Sequence, residues 1–238
     1  MFSTLPAGFV DHDRGSFRVI ATRLELEEML ALLDGPERDG PSDGSGRGGT
    51  RRIVLPGGKT VYCRRYLRGG LPRYIVRDLY LMRPERPVRE LIVTEAARAA
   101  GCPVPTVLAC AVEEAGLFYR GWLVTEAIEQ TRPLIEVFLE ADSAGRRDLL
   151  GDAGRAIRQL HAAGIYHVDL NGNNLLVRED GSLVIIDFDK GWIGQPCVAR
   201  RMQRGLDRFW RSLRKLSHAG GRPLADQERR WLDIGHDG

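Results

Sequence analysis

Apolar residues recur along this chain with two different periods. Residues 23–33 (RLELEEMLALL) repeat leucine and methionine at helical spacing and predict a short helix. Residues 51–55 and 60–66 flank Pro56-Gly57-Gly58 and carry β-branched and aromatic positions on both arms, which predicts a hairpin. The run 88–100 (VRELIVTEAARAA) returns to helical spacing and stops at Gly101, with Pro103 and Pro105 beyond it. Residues 107–113 and 117–126 predict a second hairpin that turns at Glu114-Ala115-Gly116. Leu149, Leu150, Ala153, Ile157, Leu160 and His161 then mark one face of a helix over about 147–163, ended by Gly164. Short apolar strands at 175–177 and 183–186, turned by Asp180-Gly181, precede a last helix at about 198–217.

Strands early and helices late describe an α+β protein with a sheet-rich front half and a helix-rich back half. The natural division follows the second hairpin and separates residues 1–126 from 127–238. No internal repeat is evident. Residues 35–49 (GPERDGPSDGSGRGG) have no core-forming side chain and read as a loop.

Composition narrows the function classes. With 43% hydrophobic and 28% charged residues the chain is an ordinary globular one, and a net charge of +3 gives no argument for nucleic acid. Lysine occurs only at Lys59, Lys190 and Lys215, so nearly all positive charge is guanidinium, the group suited to bidentate contact with phosphate or carboxylate. Cys63, Cys102, Cys110 and Cys197 form no metal-ligand pattern or disulfide framework, and a reducing cytoplasm is expected. Neither a signal peptide nor an apolar run of about 18 residues is found, which predicts a chain that is neither exported by that route nor membrane-spanning.

The strongest chemical signal is His167-Val168-Asp169-Leu170-Asn171-Gly172-Asn173-Asn174, followed by the two short strands and then Ile186-Asp187-Phe188-Asp189. The first element matches H-x-D-x-x-x-x-N, in which the aspartate accepts a hydroxyl proton and the asparagine ligates a metal. The intervening strands form a ribbon of the length that returns Asp187 beside the loop, so two oxygen ligands, Asn174 and Asp187, converge on one magnesium. His167 is expected to brace the loop rather than act as the base. Asp189 is either a second carboxylate near magnesium or an acceptor that braces the loop. Within the last helix Met202, Leu206, Phe209, Leu213 and Leu216 form one apolar face. Arg200, Arg201, Arg204, Arg208, Arg211, Arg214 and Lys215 occupy most of the rest, which fits a packed helix with a solvated cationic face or a contact with an anionic lipid surface.

The loop and the metal aspartate resemble the protein-kinase-like lipopolysaccharide core kinases, the 3-deoxy-D-manno-octulosonic acid (Kdo) kinases among them. Tyr166 to Asn174, Ile186-Asp187-Phe188-Asp189-Lys190-Gly191, the run from Arg64 to Leu71 and Arg86-Pro87-Val88-Arg89-Glu90 carry the likeness, which covers about 46–216. The resemblance implies a two-lobed kinase-like fold with a reduced helical C-lobe, ATP and Mg2+ as cofactors, Asp169 as catalytic residue, and Asn174 and Asp187 as metal ligands. It places Gly46, Gly48 and Gly49 in a phosphate-covering loop at about 44–50. Arg64 would take the place of the usual strand lysine, paired with Glu90, and Glu126 would lie in the nucleotide site. The implied reaction is phosphorylation of the 4-hydroxyl of Kdo on Kdo-lipid A by a peripheral protein at the cytoplasmic face of the inner membrane, with no nucleic acid and no obligate protein partner. A cluster from Arg64 to Arg77, interleaved with Tyr66, Leu71, Tyr74 and Ile75, would hold the acceptor. A heptose kinase, a protein or aminoglycoside kinase, and a catalytically inactive nucleotide-binding scaffold stay open as alternatives. The last is motivated by the missing lysine.

Overall fold

The computed structural model of the chain describes residues 4–35, 49–67, 80–81, 85–194 and 199–237. Helix and strand are mixed throughout, as an α+β protein requires. The chain divides into two compact units, Met1–Glu95 with Thr106–Ala127, and Ala96–Pro105 with Ile128–Gly238.

The first unit is built on one antiparallel sheet. Its strands are β1 (Phe9–Arg14), β2 (Phe17–Thr22), β3 (Thr50–Val54), β4 (Thr60–Arg65), β5 (Tyr80–Leu81), β6 (Val107–Ala115) and β7 (Phe118–Glu126), in the order β1-β2-β6-β7-β4-β3 with β5 also paired to β7. Helices α1 (Leu26–Asp34) and α2 (Arg86–Ala99) belong to separate buried clusters. Met29 and Leu33 of α1 pack with Val19, Val61, Cys63, Trp122 and Val124, whereas Leu91 of α2 packs with Ile20, Tyr66, Cys110, Tyr119 and Leu123. Neighbouring residues of one strand thus enter different clusters, as the alternation of side chains across a sheet dictates. This explains why β6 is buried at every position from Val107 to Val112 instead of alternating: a strand covered on both faces reads as a continuous apolar run.

Both hairpins and α2 lie close to the expected segments, and Gly101 and Gly116 take the positive φ (77° and 64°) that a helix stop and a tight turn need. The strands β1 and β2 are not anticipated by the pattern. β1 reads FVDHDR and forms a sheet edge, where charged side chains are tolerated and protect against further pairing, so apolar alternation is weak there.

The second unit contains β8 (Thr131–Pro133), α3 (Leu134–Glu140), α4 (Ser143–Ala162), β9 (Ile165–Tyr166), β10 (Leu175–Arg178), β11 (Leu183–Ile185), β12 (Trp192–Ile193), α5 (Ala199–Ala219) and α6 (Asp226–Asp237). β10 is central in the order β11-β10-β8, and β9 pairs with β12. Helix α4 begins four residues before the expected start because Asp142 caps it, accepting from the Gly145 amide at 2.8 Å. Among the described residues no helix is long and apolar enough to cross a membrane.

Helix α6 is absent from the pattern because it docks through glycine as much as through apolar side chains. A Cβ at Gly154 of α4 would collide with the Leu232 carbonyl, and one at Gly235 of α6 would collide with the Gly151 carbonyl, so the two helix backbones touch. The buried Arg146–Glu228 pair (3.2 Å) ties the same helices, and Glu228 also accepts from the Ala225 amide at 2.7 Å. Ile234 is left 70% exposed. Because overpacking of backbone on backbone has no side chain to yield, Gly235→Ala is expected to cost about 2–3 kcal/mol and lower Tm by roughly 5–10 °C. Thermal unfolding of the variant checks this, and an unchanged Tm would mean that α6 is not held by this crossing.

Candidate active site

In the first unit, strand alternation puts Arg64 and Tyr66, two residues apart, on the same side of the sheet as α2. Helix α2 brings Glu90 to them. The Arg64 Nη2 reaches Glu90 Oε1 and Oε2, both at 2.5 Å, and the Tyr66 hydroxyl donates to Glu90 Oε2. The Glu90 side chain is only 3% exposed while that of Arg64 is 29% exposed, so the pair has one buried and one partly solvated end. The expected Arg64–Glu90 partnership is therefore present. Tyr66, expected among acceptor-holding surface residues, is instead buried and turned onto Glu90.

Gly49 lies beside the pair of strands rather than in an open loop. Its carbonyl accepts from the Arg65 amide at 2.7 Å, and a Cβ there would sit 2.7 Å from the Arg65 carbonyl oxygen, so only glycine permits this approach. Gly46 and Gly48, with most of the loop at 44–50, lie outside the described residues, as do Arg68, Leu71, Arg73, Tyr74, Ile75 and Arg77. Glu126 ends β7, paired with Val61, and its amide donates to the Thr106 carbonyl at 2.9 Å.

In the second unit the loop after β9 is folded around its own backbone. Asn171 and Asn174 both donate from Nδ2 to the Asp169 carbonyl at 2.8 Å, which turns the Asn174 Oδ1 away from that bond as an acceptor. The Asn173 amide closes an Asx-type turn on Asn171 Oδ1 at 2.9 Å. The Gly172 carbonyl accepts from the Ile135 amide at the start of α3 (3.1 Å), and Leu213 of α5 approaches Gly172 closely. Asp169 itself is exposed.

The β10–β11 ribbon returns the chain as its length requires. Leu175 pairs with Ile185, the Ile186 amide donates to the Asn174 carbonyl at 2.9 Å, and Asp187 is the next residue. Asp187 has a φ of 69°, a left-handed conformation that costs a non-glycine residue energy and that aspartate tolerates better than most. Such local strain is found where a side chain must be aimed. Phe188 is buried and its ring meets the His167 ring at 4.7 Å, while His167 Nε2 lies 2.9 Å from the Ile186 carbonyl. Burial holds the His167 pKa below the ordinary histidine value, so the ring is neutral and Nε2–H donates to that carbonyl. His167 thus clamps the two arms of the site together. Asp189 follows, half-buried.

Asn174 Oδ1 and the Asp187 carboxylate are the hard oxygen donors that magnesium prefers, with the remaining positions normally filled by phosphate oxygens and water. Among the described residues no group of three or more His, Cys, Asp or Glu could hold a metal ion.

A family model described as Lipopolysaccharide kinase (Kdo/WaaP) family matches residues 40–231. The chain is 37% identical to a 3-deoxy-D-manno-octulosonic acid kinase of Stenotrophomonas maltophilia (strain R551-3), over 93% of this chain and 89% of the relative. It is 35% identical to proteins of that name from Xanthomonas campestris pv. campestris (strain B100) and Xanthomonas axonopodis pv. citri (strain 306), with 91% and 90% of this chain and 87% of each relative covered. With a match this long and relatives aligned nearly end to end, the chain belongs to the lipopolysaccharide kinase (Kdo/WaaP) family.

Proposed function

We propose that this chain is a kinase that transfers the γ-phosphoryl group of ATP to the 4-hydroxyl of Kdo on an acyl-anchored lipid A acceptor, Kdo-lipid A. The observation that carries the reading is the turn of backbone that sets Asp187 next to Asn174 and leaves Asp169 exposed at the other end of the same loop, in a chain whose relatives bear the Kdo kinase name. In this reading the fold is the two-lobed kinase type, with the expected lobes 1–126 and 127–238 corrected at 96–105, which belong to the second compact unit. Asp169 orients the acceptor hydroxyl and takes its proton. Arg64, held by Glu90, neutralises nucleotide phosphates. Gly46, Gly48 and Gly49 offer amides to the same phosphates, and Glu126 contacts the nucleotide. Asn174 and Asp187 hold Mg2+, which supplies neutralisation of phosphate charge when bound. The protein's part is positioning and fixed charge.

Asp169→Asn should lower kcat by roughly 10²–10⁴-fold with little effect on Tm, because an exposed carboxylate contributes little to the core. The measurement is label transfer from ATP to Kdo-lipid A, run beside heptosylated core, protein and aminoglycoside acceptors. A folded Asp169→Asn protein with near-parental turnover would remove Asp169 from the mechanism. Transfer to heptose in preference to Kdo would replace the acceptor, and ATP binding without any transfer would favour a scaffold.

We further infer that the enzyme works peripherally at the cytoplasmic face of the inner membrane, since an acyl-anchored acceptor is met at a bilayer. Helix α5 supports this. Leu206, Phe209 and Leu213 are buried, and Arg201, Arg204, Arg208, Arg211, Arg214 and Lys215 are exposed on the opposite side of the helix. Asp207, the acid within α5, is engaged by Arg229 of α6 at 3.0 Å. Each basic residue close to an anionic surface contributes on the order of 1 kcal/mol, screened by salt. Replacing Arg204, Arg208 and Arg211 together by glutamine is expected to release the protein from anionic vesicles at physiological ionic strength without changing ATP affinity. Vesicle binding equal to that of the parent would restrict α5 to packing.

A further inference from the structure

The ion pair expected from the sequence has a third member. Tyr66 follows β4 directly, its amide donates to the Gly121 carbonyl at 2.9 Å, and its ring is buried with Leu91, Cys110, Tyr119 and Leu123. These bonds fix the ring before any question of function arises. Its hydroxyl donates to Glu90 Oε2, and the Arg64 guanidinium carbon lies 4.9 Å from the ring centroid. Arg64 Nη2 also lies 3.4 Å from the Tyr66 hydroxyl.

Two donors of different kinds thus meet one carboxylate. The hydroxyl comes from the buried side and the guanidinium from the partly solvated side. Burial, followed by the charge of Glu90, pushes the Tyr66 pKa well above the ordinary phenol value, so the phenol stays protonated and acts as donor to Glu90. A buried carboxylate that loses a donor to its ionised form rotates and takes up a proton more readily, and either change would loosen its hold on Arg64.

We propose that Tyr66 is a positioning residue of the nucleotide-phosphate site, fixing the Glu90 carboxylate so that Arg64 is presented to phosphate in one orientation. The nucleotide part of this proposal rests on the reading of the chain as an ATP-dependent kinase, while the hold of Tyr66 on Glu90 does not. Among the groups that face Glu90 are Arg64 and Tyr66 from the β4 side and the Cys110 thiol from β6, and Arg86 of its own helix lies 5.7 Å from the Tyr66 ring centroid. Burial holds the Cys110 thiol neutral, so it adds no charge beside the carboxylate.

The test is Tyr66→Phe in the full chain, which keeps the ring and removes only the donor. Kinetics with ATP and Kdo-lipid A are compared across pH with the titration of the Glu90 carboxyl carbon, followed by carbon NMR in the absence of nucleotide. The expected result is a loss of roughly fivefold to thirtyfold in kcat/KM for ATP, carried mainly by KM. Losing a donor to the ionised form raises a carboxyl pKa, so the acid limb of kcat/KM and the Glu90 titration should both move to higher pH. A merely structural tyrosine would lower Tm without moving either. An active variant with parental KM for ATP and an unmoved acid limb overturns the proposal. If the parent itself transfers no phosphoryl group, the kinase reading falls and takes the nucleotide role with it. In that case a Glu90 titration unchanged in Tyr66→Phe would also overturn the positional role, and a shifted one would sustain it.

Discussion

A carboxylate taken out of water must be met by donors, and Glu90 of α2 is such a carboxylate, 2% exposed. Leu91 and Ile92 beside it pack into the apolar cluster under the sheet. Apolar contact alone tolerates a slide of α2 along that surface, because one buried methyl group can replace another at small cost. The carboxylate does not tolerate it. Its two oxygens must stay within reach of Arg64 and Tyr66, which β4 and the residue directly after it have already placed on that face, so the axial position of α2 relative to β4 follows from one ion pair.

The second unit solves a related problem in the opposite way. Its candidate reactive groups are left accessible and the restraint is carried by backbone. Asn171, Asn174 and His167 spend their donors on the carbonyls of Asp169 and Ile186, which stiffens the loop around Asp169 and Asp187 without touching either carboxylate through those bonds. The positive φ of Asp187 then follows from geometry. The chain must leave the β10–β11 ribbon, keep the Ile186 amide on Asn174 and still bury Phe188 against His167, and a left-handed residue makes that reversal in one step.

The parts of the molecule that were legible in the sequence are those whose signal is local. Two hairpins, the helix from Arg86 and the β10–β11 ribbon each announce themselves by periodicity bounded by glycine or proline, whereas the Arg64–Glu90 pair is legible only through the resemblance to the lipopolysaccharide core kinases. The parts that were missed lack that signal. β1 is a charged edge strand, α3 is a helix of 7 residues, too short for a period to establish itself, and α6 is held by glycine contact and a buried ion pair that no apolar stripe records. Tyr66 was visible as a residue and misplaced as a role. Its position two residues after Arg64 in an alternating strand was the signal that it shares a face with Arg64, outweighed by the basic residues that surround it in sequence.

On the proposed reading Arg64 takes the place of a strand lysine, the departure that most favours an inactive scaffold, and Tyr66 changes its weight. An ammonium at position 64 would supply charge as a point and gain little from a neighbouring ring face in fixed orientation. The guanidinium is planar, less strongly hydrated, and here lies over a buried phenol whose other interactions include a second guanidinium, that of Arg86. Arginine, tyrosine and glutamate thus form a matched set in which the ring orients the cation and the hydroxyl completes the carboxylate. For packing alone a phenylalanine would fill the same volume as Tyr66 without a polar atom to satisfy, so the buried hydroxyl is accounted for by its bond to Glu90. The presence of that hydroxyl on Glu90, beside an Arg64 held over the same ring, favours a working site over an inert one.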